Sequence, residues 1–177
     1  NMASSAAGCI GYVNLASTVY GASSSAVNTV QSYNNGADSW ASVATLGGAP
    51  TDIKVGKPGT TGSQTIVVAR TTGVDYSTDG AAWSANETDI KFICFWYDLL
   101  WGIDNAGILY FTADLSAAWT EVARFPYPAG TVSKLFVGHG ADGNAALYIA
   151  SKVGLHIYDA ENERIVDTPL ILPYHPA

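Results

Sequence analysis

The chain has 177 residues, enough to bury a core either as one domain or as one tight array of repeats. Hydrophobic residues make up 48% but charged ones only 13%, well below the roughly 25% of ordinary soluble domains, and Ala, Ser, Thr and Gly fill the difference. A net charge of −7, with one charge-dense stretch (Asp159 to Asp167) that is mainly acidic, speaks against nucleic acid as a partner, because phosphate binding needs Lys and Arg to displace counterions.

The predicted elements are short strands throughout. In the first fifty residues they fall near Cys9–Val13, Thr18–Tyr20, Val27–Ser32 and Trp40–Leu46. Thr51-Asp52-Ile53-Lys54 then recurs as Thr88-Asp89-Ile90-Lys91, and loosely as Thr131-Val132-Ser133-Lys134. The spacing, roughly forty residues, is that of one four-stranded propeller blade. After each tetrapeptide comes a turn-rich gap and an apolar strand: Thr65–Arg70, Leu99–Ile103 and Ala146–Ala150. A glycine (Gly73, Gly107, Gly154) opens a third strand at Val74–Ser77, Ile108–Thr112 and Leu155–Tyr158, and a fourth follows from Trp83, over Trp119–Val122 and over Arg164–Val166.

The second strand of such a unit is apolar on both faces (Ile66, Val67, Val68), as a sheet sandwiched between two neighbours requires. The expected architecture is therefore an all-β propeller of about four four-stranded antiparallel blades, near residues 1–50, 51–87, 88–130 and 131–177. The same strands would serve a two-sheet sandwich, but that would not place the tetrapeptides in phase with the tryptophans. Blades of this size suit larger rings, so the array is expected to belong to a ring completed by another chain or by further sequence. Asn1 to Ala7 shows no signal peptide, and the longest apolar run, Phe92 to Tyr97, is too short to span a bilayer.

Between third and fourth strands lies Ser77-Thr78-Asp79-Gly80-Ala81-Ala82-Trp83, with counterparts running from Thr112 through Asp114 to Trp119 and from Ser32 through Asn34 to Trp40. Asp, Asn, Ser and Thr side chains accept hydrogen bonds from N–H groups two or three residues on and close such turns. Here the chain resembles the Asp-box (BNR-repeat) sialidase-like β-propeller family, whose repeat reads Ser/Thr-x-Asp-x-Gly-x-x-Trp. The second copy departs at Ser116, which replaces the glycine, and the copy at Ser32 has Asn34 for Asp. The resemblance implies a structural role for Ser32, Trp40, Asp79, Trp83, Asp114 and Trp119, each holding a blade together away from any active centre.

The resemblance also raises a glycoside hydrolase of sialidase type as the alternative function. That chemistry needs an arginine triad, and the chain has only Arg70, Arg124 and Arg164, without the family's Arg-Ile-Pro motif. No catalytic residue is assigned, no cofactor is expected, and His139, His156 and His175 are spaced too irregularly for a metal site. Cys9 and Cys94, in apolar surroundings, read as buried free thiols. Two features point to binding. Lys54, Lys91 and Lys134 share the tetrapeptide's last position and would form a basic ring near one channel mouth. Trp96 and Trp101, with Tyr97, lie outside the turn motifs and suit stacking on sugar faces. The expected function is a non-catalytic, lectin-like binding or structural module with a glycan or protein partner, on the outside of a cell or on a virion surface, and a homo-oligomer completing the ring.

Overall fold

A computed structural model describes residues 8–24, 28–60, 62–140 and 142–168. The first sheet contains β1 (Cys9–Leu15), β2 (Thr18–Ser23), β3 (Thr29–Asn34) and β4 (Ser39–Thr45). The second contains β5 (Pro50–Gly56), β6 (Thr65–Arg70), β7 (Gly73–Ser77) and β8 (Ser84–Asn86). β9 (Phe92–Trp96), β10 (Leu99–Ile103), β11 (Ile108–Thr112) and β12 (Thr120–Arg124) form the third. The fourth is β13 (Val132–His139), β14 (Ala145–Ser151), β15 (Gly154–Asp159) and β16 (Arg164–Asp167). Each sheet is an antiparallel meander in chain order, and the described residues contain no helix. The predicted strand start at Val27 lies outside the described residues, as do 1–7 and 169–177.

The sheets stack face to face in the order in which they are made. β1 packs beside β5, β5 beside β9 and β9 beside β13, so the first strands of the sheets line the inner edge of a fan of four propeller blades. Three apolar layers fill the spaces between sheets. Tyr20, Val30, Ile53, Ile66 and Val68 form the first layer. Val67, Ala69, Ile90, Ile93, Leu100 and Trp119 form the second. Trp101, Ile103, Leu109, Leu135, Ile149 and Tyr158 form the third. Every residue of β6 is buried, because Ile66 and Val68 face one neighbour and Val67 and Ala69 the other. This is the two-sided burial that its unbroken apolar run predicts.

The repeat period follows the sheets, but the tetrapeptides do not occupy one register. Asp52 pairs with Ala69 just past a bulge in β5, and Lys134 pairs with Ala150 just past a bulge in β13. Lys134 therefore stands where Asp52 stands, and Phe136 where Lys54 stands. Thr88 to Lys91 precedes β9 altogether. The bulges and the unequal connections between sheets shift the inner strands against the chain's own period.

All four turns between third and fourth strands are closed by a side-chain oxygen. Asp79 Oδ1 accepts the N–H groups of Ala81 (2.8 Å) and Ala82 (2.9 Å), while Ser77 Oγ accepts that of Gly80 at 2.8 Å. Asp114 Oδ1 accepts Ser116 N–H at 2.8 Å and its hydroxyl at 2.7 Å. In the first sheet Asn34 Oδ1 accepts Gly36 and Ala37 N–H, and Ser32 sits in the β3–β4 ladder opposite Ala41. Asp159 Oδ1 serves Glu161 and Asn162 in the fourth sheet. Trp83 packs on the first layer and donates its indole N–H to Gly80 O at 3.2 Å; Trp119 is buried in the second layer.

Donation by Ala81 N–H first, then by Ala82 N–H and the Ser77 hydroxyl, holds the Asp79 carboxyl below its ordinary value of 3.8. A depressed carboxyl stabilises the fold above its unfolded value and ceases to do so as pH falls through its folded one. Asp79→Ala is therefore expected to lower the urea midpoint at pH 7, and the gap from the parent chain should narrow as pH drops below 3.8. A gap that stays constant across that range would show that the carboxylate is not what closes the turn.

Candidate functional site

The sixteen strands of the described residues leave their turns along two edges of the fan. On one edge the long β5–β6 connection leaves the second sheet and crosses to the third. It is tied there by Gly59 N–H donating to Asp98 O, and Gly59 has φ +76, where a Cβ would be strained and would lie 3.0 Å from Ala113 O. The result is a cavity of about 690 Å3 between the two sheets, walled by hydroxyls (Thr60, Ser63, Thr78, Ser116), two tyrosines (Tyr76, Tyr97) and two carboxylates (Asp98, Asp114). No Lys or Arg lines it.

The β9–β10 hairpin turns through two residues alone, Tyr97 and Asp98, at φ +48 and +56. Such turns favour Asn and Gly, and a bulky L residue there costs about 1 kcal/mol. The strained Tyr97 is also the most exposed large hydrophobic among the described residues, at 67%. Its ring rests on Trp96 (centroids 4.9 Å apart), which rests on Trp101 (5.3 Å), which meets Tyr158 at 5.2 Å. Of the two tryptophans singled out from sequence, Trp101 lies in the core at 6% exposure and donates its indole N–H to Trp96 O. Trp96 is half-buried and supports the ring that faces solvent. The signal for Tyr97 in the sequence was its place at the end of the longest apolar run, next to an Asp.

The three lysines separate into two places. Lys54 Nζ (2.7 Å) and Lys134 Nζ (2.8 Å) both donate to Asp52 Oδ1, a carboxylate only 3% exposed. Asp52 also accepts Ile53 N–H at 3.0 Å and, through Oδ2, Ile93 N–H at 3.2 Å. One side chain thus joins the inner strands of the second, third and fourth sheets. Lys91 stands apart, 3.4 Å from Asn105 Oδ1, beside a smaller polar cavity of about 250 Å3 that Thr51, Arg70 and Asp89 also line. Near the Asp52 centre Cys94 is buried, and burial pushes its thiol up to about 12. Cys9 is half-buried; both thiols are free.

His156 lies within β15 with both ring nitrogens partnered. Its Nδ1 lies 2.7 Å from Asp167 Oδ1 and its Nε2 2.9 Å from Ser151 Oγ, the order of a nucleophile, base and carboxylate. The serine is otherwise engaged: its Oγ donates to Gly154 O at 3.1 Å and accepts Val153 N–H at 3.2 Å, closing the β14–β15 turn. With the imidazole 2% exposed and flanked by Phe125 and Tyr127, the set reads as a buried polar network that locks a hairpin. The arginines are each taken by carboxylates: Arg70 by Asp75 (2.8 Å) and Glu87 (2.9 Å), Arg124 by Glu121, and Arg164 by Asp159. They stand on β6, β12 and β16, in three different sheets. Among the described residues no three His, Cys, Asp or Glu side chains converge as metal ligands.

No family model and no curated protein matches the chain. Solved structures do match. The chain is similar to the extracellular domain of a B. thetaiotaomicron protein described as a one-component system, with 16% identity and a TM-score of 0.65 over 96% of this chain and 22% of that one. It is similar to an ancestral GH74 enzyme, with 18% identity and a TM-score of 0.63 over 91% of this chain and 24% of the enzyme. A chain of the S. cerevisiae assembly of Dbp5 with Nup159, Gle1, IP6 and ADP also aligns, at 8% identity and a TM-score of 0.54, over 91% of this chain and 47% of that one. The first two are β-propellers, and at these identities the likeness is one of fold. The chain spans less than half the length of each of these three structures.

Proposed function

We propose that this chain is a non-catalytic β-propeller module, four blades of a larger ring that a second copy completes, and that it recognises glycans outside the cell or on a virion surface. The observation that carries the ring is the layout of the two end sheets. Tyr12, Ile53 and Leu135 occupy one register position, each the second paired residue after a bulge, and Ile93 faces the same way in β9. Under the preceding sheet, Ile53, Ile93 and Leu135 are 4%, 0% and 0% exposed, whereas Tyr12 is 52% exposed.

Trp40 shares that face, its ring 5.4 Å from Tyr12 and 5.3 Å from Tyr33, at the place from which Trp83 and Trp119 pack on preceding sheets. At the other end Tyr148 stands where Tyr20, Val67 and Trp101 are buried. It stacks on Phe136 (15° between rings), with Ile157 and Val166 in the same row across the sheet. Each end carries one half of the interface repeated inside. The side-chain-closed turns at Asp79 and Asp114 support kinship with the Asp-box repeat, and the low-charge, hydroxyl-rich composition supports an extracellular setting.

Light scattering on the purified chain is expected to give twice the 18.5 kDa chain mass. Tyr12→Glu and Tyr148→Glu should each yield monomers, since head-to-tail closure uses both faces, and mixing the two variants should restore a dimer through the one intact pair of faces. A monomeric parent chain, or a dimer sensitive to only one of the variants, refutes the closure. Turnover of a fluorogenic glycoside would return the chain to the glycoside hydrolase reading.

A further inference from the structure

The geometry points to a ligand class for the cavity between the second and third sheets: we infer that it binds a neutral oligosaccharide, with Tyr97 stacking on a sugar face and Asp98 accepting hydrogen bonds from its hydroxyls. The inference rests on the reading of the chain as a glycan-binding module but not on ring closure, because both walls belong to one copy.

Three observations carry it. The first is the Tyr97 ring, 67% exposed at the rim and held in a left-handed conformation. Strain retained by a bulky residue at an exposed tip marks a position selected for something other than folding. A phenol ring braced from behind by Trp96 at 4.9 Å is rigid, and it presents a flat apolar face at low entropic cost. The second is Asp98. Its carboxylate is exposed beside that ring and makes no side-chain hydrogen bond among the described residues, although its backbone is fixed by Gly59. An ionised carboxylate is an acceptor only, with two oxygens that match adjacent hydroxyls on a pyranose ring.

The third observation is the charge of the lining. Two carboxylates and no Lys or Arg repel a sialic or uronic acid, and the cationic side chains that could hold an anion stand elsewhere, on Asp52 and at Lys91. Hydroxyls from Thr60, Ser63, Thr78 and Ser116 complete a lining that exchanges hydrogen bonds with a polyol and sets no positive charge against a phosphate. The cavity, at about 690 Å3, is large enough for a short oligosaccharide.

The test is calorimetric titration of the whole chain with cellohexaose, mannohexaose and xylohexaose, against sialyllactose and hyaluronan hexasaccharide as charged controls. The expected result is binding of at least one neutral probe and of neither charged one, with the affinity reduced at least tenfold in Tyr97→Asn and in Asp98→Ala. Because Asn tolerates the left-handed turn, Tyr97→Asn should keep or raise the unfolding midpoint, so the loss of binding cannot be ascribed to misfolding. Tyr148→Glu, which opens the ring, should bind as the parent chain does, which keeps a failure of ring closure apart from a failure here. Binding confined to the charged probes, no binding of any neutral probe, or neutral binding that survives Tyr97→Asn would each overturn the inference.

Discussion

Asp52→Ala is expected to cost about 3 kcal/mol of folding free energy. Four donors meet on that carboxylate: Ile53 N–H, Ile93 N–H, Lys54 Nζ and Lys134 Nζ. The two ammonium groups are 30% and 45% exposed and can return to water, so their loss of a partner adds little. The two backbone N–H groups lie in buried strands and have nowhere to turn; each stranded donor costs roughly 1 to 3 kcal/mol. Asp52→Asn, which keeps an acceptor oxygen and the shape but loses the charge, should fall between. Urea unfolding with an unchanged m-value is the measurement, and a loss under about 0.5 kcal/mol would show that the sheets do not depend on this junction.

Gly73→Ala should be comparably damaging, at about 3 kcal/mol, for two separable reasons. Gly73 has φ +148, where L residues are strained, and a Cβ there would lie 2.4 Å from Asn86 O and 3.1 Å from Glu87 Cα. Both obstacles are backbone and cannot swing aside. Gly154 opens the equivalent strand of the fourth sheet with the same φ of +148, but a Cβ there meets nothing within 4 Å. Gly154→Ala therefore isolates the conformational part, about 1 to 2 kcal/mol, and the difference between the two variants measures the steric part. Equal losses at the two positions would mean that the connection after β8 yields and that the contact with Asn86 is soft.

The sheets were legible because a stacked sheet must be apolar on both faces and must turn sharply between strands. Ile66, Val67 and Val68 declare the first requirement, and Gly73 and Gly154 the second. Both requirements are local, so they survive in a single sequence. The phase of the repeat was less legible. Thr51 to Lys54 and Thr131 to Lys134 look equivalent, yet the bulges and unequal connections give Lys134 the register position of Asp52 instead of that of Lys54. A basic ring was the natural reading of three aligned lysines; an acid clasped by two of them could be seen only once the strands were in register.

The cavity was harder still, since Thr60, Tyr97 and Asp114 come from different turns of two sheets and share no motif. Tyr97 breaks the usual rule for a two-residue hairpin, which calls for Asn-Gly, and so gave no turn signal at all. A chain pattern reports what folding needs: Tyr97 stood out as an aromatic outside the turn motifs, but its place at a left-handed hairpin tip did not.

A cleft with one wall on each of two neighbouring blades has no aperture of its own. Its width is the angle between the blades, fixed on one edge by the Gly59 tether and set on the inner edge by the packing of β5 on β9. Both anchors join the same two sheets of one chain, so the aperture is set locally and stays the same whether or not the arc closes into a ring.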